Sequence, residues 1–411
     1  MAGPLSHIRV LDLTRVVAGP WGTQILGDMG AEIIKVERPG KGDDTRGFAP
    51  PFMKTPDGES TRESAYFPCV NRSKKSLELD IARPEGQEIL RRLAKESDIF
   101  IENYKVGNLQ RYGLDYATLK EINPRLIYCS VTGYGQTGPY SSMAGYDFVF
   151  QGMSGLMSIT GVPDGQPGAG PQKIGVAVTD IMAGMYATIA VLGALAHRDV
   201  TGVGQYIDLA LLDCSMAMLM NVGTIYLSDG KIPGRLGNSH GNAVPYQLFP
   251  SKDGQVILAV GNNDQFVRFC EIAGRTDIAQ DPRFSTAAAR VAHRDILIPM
   301  LQDVMKTRTS MEWLKALGPA GIPCGPVNNV AEAFEDPQVR HRETVLEMPH
   351  PVAGKVRLIA SPLRFSETPV EYRDPPPVLG QHTAEILRDI LGMDEAAIGA
   401  LAGRGVVGLR R

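Results

Sequence analysis

The first third of the chain alternates between two hydrophobic periods. Short β-branched and aliphatic runs occur at Ile8–Leu13, Ala31–Val36, Ser76–Asp80, Ile99–Glu102 and Leu126–Val131. Between them, apolar positions fall at helical spacing over Trp21–Met29, Pro84–Glu96 and Tyr116–Ile122. Pro84 stands at a helix start and Gly30 just past a helix end, where a fixed φ and a tolerated positive φ respectively fit. The alternation predicts an α/β fold, a mostly parallel sheet with helices on both faces.

Further along, Ile181–His197 reads as one long helix, and its many Ala and Gly residues predict close packing against another element. A second unit is expected near Gly202, with a strand at Gln205–Leu209 and a helix at Leu211–Leu227. Met216, Met218 and Met220 of that helix read as core filler. A glycine-rich loop, Gly234–Gly241, leads into a strand at Val256–Val260 and helices at Asn263–Ile272, Val291–Met305 and Ser310–Leu317. Gly321–Val327, with two prolines and two glycines, reads as a link. After the proline run Asp374–Pro377, helices are predicted at Thr383–Leu391 and Glu395–Ala402.

Length and charge narrow the function classes. The 411 residues suffice for two or three domains of about 100–200 residues each. With 42 basic and 45 acidic side chains the net charge is −3, which gives no field to hold nucleic acid. The densest basic cluster, Arg72–Lys75, reads as a solvated turn before a strand. The five cysteines are scattered, with no CxxC spacing, and most read as small buried residues in a reducing compartment. Ile8–Leu13 already reads as a strand, so no secretory leader is expected. The longest apolar run, Ile181–Ala196, falls short of the about 18–20 residues of a membrane span. The expectation is a cytoplasmic protein with neither nucleic-acid nor membrane partners.

Few residues offer chemistry. Gly133–Gly138, GYGQTG, matches GxGxxG after a strand, but a dinucleotide site needs a helix to open at once so that its N-terminus meets the pyrophosphate. Pro139, Tyr140, Ser141 and Ser142 follow instead, so the segment reads as a turn. The seven histidines lack metal-ligand spacing, and no metal is expected. What remains is a pair of carboxylates, Asp147 and Asp180, in Gly- and Ala-rich surroundings. Thr179 and Asp180 can cap the long helix that starts just after them. Asp180 can equally serve as a nucleophile, because a helix N-terminus favours the ionised carboxylate and only that form attacks a carbonyl. Dispersed basic residues, Arg38, Lys105 and Arg111, suit a ligand with separated phosphates. The residues alone point to an acyl or phosphoryl ligand in an α/β enzyme.

Nine ordered motifs extend this reading: VLDLTRVVAGPWGTQILGDMGAEIIKVERPGKGDDTR (10–46), NRSKKSLELD (71–80), ENYKVGNLQRYGL (102–114), TGYGQTGP (132–139), AGYDFVFQGMSG (144–155), GVAVTDIMAGMYA (175–187), LGNSHGNAVPYQLFPSKDG (236–254), GIPCGPVNN (321–329) and PPPVLGQHT (375–383). Together they resemble the class III CoA-transferases, the CaiB/BaiF family, over essentially the whole chain. The resemblance implies that Asp180 is the catalytic aspartate, which carries the acyl group as an anhydride and CoA as a thioester. It implies CoA contacts at Val17, Ala18, Arg38, Leu79, Ala82, Asn103, Tyr104, Lys105 and Arg111. It places Tyr146 and Asp147 in support and makes Gly237, Asn238, Ser239, His240 and Gly241 the loop that covers the site. CoA or acyl-CoA is then a substrate, with no permanently bound cofactor. Some formyl-CoA transferases have glutamine where Val17 stands, which disfavours formyl transfer here.

Within the family, the chain is most similar to succinyl-CoA:glutarate-type transferases, through Ser239–Gly241 with Val244–Gln247, Val260–Asn263 with Gln265–Phe266, and Pro375–Thr383. The implied reaction moves CoA from an acyl-CoA such as succinyl-CoA to a short, glutarate-like dicarboxylic acid. The rival is an acyl-CoA racemase acting at the α-carbon. Racemases of the family carry a histidine where Tyr146 stands, and a phenol, titrating near about 10, is a poor base at neutral pH. The family fold implies a large doubly wound Rossmann-like domain from both chain ends (1–200 and 330–411). A smaller α/β domain lies at 225–325, with extended linkers at 200–225 and 325–350, and two chains form an interlocked homodimer.

Overall fold

The computed structural model describes residues Gly3–Arg410, which fall into two compact units. The first comprises the residues up to Leu156, Lys173–Lys231 and those from Arg340 onward; the second comprises Met157–Gln172 and Ile232–Val339.

The first unit is built on a six-stranded sheet of β1 (Arg9–Asp12), β2 (Glu32–Glu37), β3 (Lys75–Glu78), β4 (Ile99–Glu102), β5 (Ile127–Thr132) and β6 (Tyr206–Ala210). The spatial order is β6-β5-β4-β1-β2-β3, with every neighbouring pair parallel. All residues of β4 and β5 are buried, as the near-continuous apolar runs of a sheet covered on both faces require. Its main helices are α1 (Ala18–Asp28), α2 (Pro84–Lys95), α3 (Tyr116–Ile122), α4 (Asp147–Met153), α5 (Val178–Thr201) and α6 (Leu211–Ala217).

Alternate strand residues feed two cores. Val10, Ile33, Ile101 and Cys129 pack with Leu26 of α1 and with Ala183, Ala187 and Val191 of α5. Leu11, Ile34, Leu77 and Phe100 pack on the other face with Leu90 and Leu93 of α2. Ile386 and Ile398, from the helices Thr383–Asp389 and Glu395–Gly403, complete that second core, so both ends of the chain build it. The chain order reverses between β1 and β4, and the loops after these two strands flank the crevice where open α/β sheets bind ligands.

Several expectations change. The long helix spans 24 residues, so Asp180 lies inside its first turn. By length and composition α5 could cross a bilayer, but its sheet-facing residues are buried in the core, and near its end buried Arg198 pairs with Asp98 at 2.9 Å. The expected second unit near Gly202 does not begin there: β6 joins the first sheet and α6 joins its core. The single helix expected at Leu211–Leu227 is two, α6 and Met220–Asp229, bent by 76°. The break leaves Met216 and Met220 exposed rather than in the core. Neither expected linker is simply extended, since 200–225 holds β6 and α6 whereas 325–350 holds helices and the strand Val345–His350.

The basic cluster at Arg72–Lys75 is the sharpest correction. Arg72 and Lys74 are buried, Arg72 paired with Asp28 at 2.6 Å and Lys74 with Asp12 at 3.3 Å. Charge density along the chain could not reveal that the acidic partners lie on β1 and α1.

The second unit holds an antiparallel sheet of Tyr246–Pro250, Gln255–Ala259 and Cys324–Gly325, so part of the predicted link is an edge strand. Phe249, Phe266, Phe269, Trp313 and Leu301 fill its core, and the Trp313 indole N–H donates to the Met305 carbonyl at 2.7 Å.

Small residues on α5 are explained by α1. A Cβ on Gly184 would lie 2.5 Å from the Ala18 carbonyl oxygen, and one on Gly22 would lie 2.8 Å from the Gly184 oxygen. Gly184→Ala should therefore destabilise the protein by about 1–3 kcal/mol, because backbone must move. Gly193→Ala, where a Cβ meets nothing within 4 Å, should be neutral or stabilise by about 0.5–1 kcal/mol. Urea unfolding of both variants checks the contrast.

Candidate active site

A cavity of about 260 Å³ in the first unit holds the Asp180 carboxyl. The turn after β1 supplies Val17 and Ala18, and the loop after β4 supplies Asn103, Tyr104 and Lys105. Tyr146, 71% exposed at the start of α4, lines it as well. The sheet thus brings together residues 17, 18, 103–105, 146 and 180, as read from the sequence. A narrower cleft holds Arg38 and Leu79 and shares Arg15 and Tyr104 with the main cavity. Arg111 and Ala82 line neither: Arg111 is exposed and donates to the Tyr112 hydroxyl at 2.8 Å, and Ala82 is exposed. Their positions are on short turns whose direction no periodicity sets.

The first turn of α5 is not capped by its own side chains. Its N-cap residue, Ala177, has no side-chain oxygen, and buried Thr179 turns its hydroxyl to Ser215 of α6 at 2.8 Å. The cap comes from α4: Asp147 Oδ1 accepts the Thr179 backbone N–H at 2.7 Å. Asp147 Oδ2 accepts from Gln151 Nε2 at 2.7 Å, and Gln151 Oε1 accepts the Ile174 N–H at 2.9 Å. One carboxylate and one amide of α4 therefore fix the segment that leads into Asp180, and Asp180 itself is left facing the cavity.

Two effects oppose at Asp180. The helix N-terminus favours the charged form by about 0.3–1 kcal/mol. Burial, aided by the Asp147 charge, disfavours it more and pushes the carboxyl up to about 7. The expectation of a readily ionised carboxylate is corrected accordingly.

Two residues of the site escaped the sequence reading. The Tyr66 phenol is raised first by burial and then by the charges of Cys69, Asp180 and Asp147, so it feels both carboxylates although it does not line the cavity; its ring meets Phe48 edge-on at 5.5 Å. Tyr66 follows an irregular hairpin, so nothing local marked it. Arg15 lines both the cavity and the cleft, and its guanidinium reaches Asp44 at 3.0 Å, where Arg38 also pairs at 2.7 Å. Its neighbours Val17 and Ala18 were the available signal. Arg15, Arg38 and Lys105 make this side of the site basic.

The loop residues Gly237, Asn238, Ser239, His240 and Gly241 belong to the second unit, where the first four line a cavity of about 690 Å³. Gly237 takes φ +60°, Ser239 donates to Gln247 Oε1 at 3.2 Å, and Arg294 donates to the Gly241 carbonyl. Among the described residues, no three His, Cys, Asp or Glu side chains are grouped to hold a metal ion.

Comparison with known proteins gives the chain's relatives and its family. The chain is 46% identical to a succinate–glutarate CoA-transferase of Agrobacterium fabrum over 399 residues, covering 96% of this chain and 97% of that protein. It is 44% identical to a human succinyl-CoA:glutarate CoA-transferase over 404 residues, covering 98% and 90% respectively. Its fold superposes on the crystal structure of a CaiB/BaiF family protein from Brucella suis with a TM-score of 0.82 and 44% identity, over 95% of this chain and all of that one. Residues 5–383 match the model of CoA-transferase family III, and the chain belongs to that family of enzymes.

Proposed function

We propose that this enzyme transfers CoA from succinyl-CoA to a short dicarboxylic acid of the glutarate class, with Asp180 as the covalent carrier. The observation that carries the reading is the cavity where Asp180 meets the turn after β1. The glutarate-type names of the relatives support the substrate class. An Asp180 oxygen attacks the thioester carbonyl, the C–S bond breaks, and CoA leaves as thiolate from a mixed anhydride. The thiolate then attacks the Asp180 carbonyl carbon, forming an aspartyl-CoA thioester and releasing the donor carboxylate. An acceptor carboxylate reverses both steps and leaves with CoA. Arg15, Arg38 and Lys105 supply positive charge for the CoA phosphates. Anhydrides hydrolyse, so water must be excluded, a task we give to the loop Gly237–Gly241.

The strand order, read from the other edge as 3-2-1-4-5-6, supports a doubly wound Rossmann-like first domain. Exposed apolar side chains in the first unit support a homodimer whose chains interlock: Phe148 is 57%, Ile189 59% and Leu227 83% exposed. The five free cysteines fit a cytoplasmic setting. Racemization at the α-carbon has less support, because a tyrosine, Tyr146, stands where the second base is needed.

Mass spectrometry should show a new acyl-CoA forming from glutarate as succinyl-CoA falls, with total thioester constant. Asp180→Ala should abolish exchange yet bind CoA in calorimetry; retained exchange overturns the mechanism. Because only the ionised Asp180 attacks, kcat/KM for acyl-CoA should fall about tenfold per pH unit below about pH 7 and level off above it. Asp147→Asn removes the like charge and should move that limb to lower pH; an unmoved limb would mean another group titrates. Light scattering should give the mass of two chains, and a monomer at assay concentration would refute the dimer.

A further inference from the structure

The turn from β1 into α1 has an unusual restraint pattern. Val16, a β-branched residue, sits at φ +70°, a conformation that side chain disfavours and that surrounding structure must impose. Each backbone polar group from Thr14 to the Val16 N–H is tied to a side chain, four of the five to residues distant in sequence. The Thr14 N–H donates to Asp12 Oδ1 at 2.9 Å, and its carbonyl accepts from Lys35 Nζ at 2.9 Å. Asn103 holds Arg15 on both sides, accepting its N–H at 3.0 Å and donating to its carbonyl at 2.8 Å. The Val16 N–H donates to Asp43 Oδ1 at 3.2 Å. Lys35 and Asp43 are themselves paired at 2.8 Å with both side chains fully buried. This ion pair therefore grips the turn at two points, a carbonyl and an N–H two residues apart. The next residues, Val17 and Ala18, line the cavity that holds Asp180.

We propose that Lys35 and Asp43 are positioning residues for acyl-CoA: their buried ion pair holds Val16 in its strained conformation and so sets the Val17–Ala18 wall against which the thioester end of the substrate lies. The proposal rests on the reading that acyl-CoA enters the Asp180 cavity. Burial disfavours the charged form of a lysine, but here the carboxylates of Asp43, Asp12 and Glu37 together outweigh it and Lys35 titrates above its ordinary range, while Asp43 is held down to about 2. The grip is thus constant across the pH range in which Asp180 titrates. Both residues border the narrow cleft that adjoins the Asp180 cavity, but neither lines that cavity and both side chains are fully buried, so the pair reaches the Val17–Ala18 wall through the turn.

The test compares Asp43→Asn, Val16→Gly and the double variant by steady-state kinetics, with thermal unfolding alongside. The Asn keeps an oxygen for the Val16 N–H but loses the charge that anchors Lys35. Its KM for acyl-CoA should rise by about fivefold or more, with KM for the acceptor acid and kcat within about twofold. Glycine adopts the positive φ freely, so adding Val16→Gly to Asp43→Asn should bring that KM back by at least about twofold. A purely structural pair would lower the unfolding temperature but leave KM unchanged and show no glycine rescue; either result overturns the proposal. If Asp43→Asn does not fold, Lys35→Gln replaces it in both comparisons, since its amide still donates to Thr14 but carries no charge. Absence of CoA exchange by the unaltered enzyme would instead refute the functional reading, so the two failures are distinct.

Discussion

The first unit depends on charged pairs sealed inside it around its sheet. Lys35–Asp43, Lys74–Asp12, Arg46–Glu37 and Arg72–Asp28 are buried pairs with separations of 2.8, 3.3, 2.7 and 2.6 Å. A buried pair adds little net stability against an apolar replacement, but removing one partner strands the other and costs about 3–5 kcal/mol. The pairs consequently specify one arrangement more than they stabilise it. They also reach across the chain: Arg72 donates to the Ile359 carbonyl and Arg46 to that of Pro377. The C-terminal stretch is joined to the N-terminal half by charged donors as well as by apolar packing. Lys74 shows the strain of the arrangement, since burial drags its ammonium down to about 7 despite Asp12.

The same physics shapes Asp180. Burial in its cavity makes Asp180 harder to ionise. Asp147 sharpens the conflict. It caps the turn that presents Asp180, yet its charge adds to the rise. A neutral cap would hold the turn without the repulsion, whereas a carboxylate makes the stronger bond to a helix N-terminal N–H. The site accepts a carboxyl that titrates near neutrality in exchange for a rigid first turn.

The legible parts of the fold were those with local causes. The strands and helices of the first third lie where their periods placed them, because a buried parallel strand must be apolar and a helix start favours proline. Asp180, Asn103, Tyr104 and Lys105 were found through ordered motifs and do share one cavity. The break between α6 and Met220–Asp229 was not legible, since no proline or glycine lies at the bend and apolar spacing continues through it. The hairpin Val345–His350 with Gly354–Ile359 escaped for a related reason: its core contribution is three residues, Met348, Val356 and Leu358.

What the sequence determined by itself was the order of elements, the family to which the motifs belong, and the carboxylate at the mouth of the long helix. Each depends on residues close together in the chain or on motifs read in order. What only the tertiary structure decided was which charges are buried, which group caps α5, and which neighbours set the ionisation of Asp180. Asp147 reaches Thr179 across 32 positions, and Lys74 reaches Asp12 across 62. Burial and long-range pairing are properties of surfaces that exist only after assembly, so no local pattern encodes them.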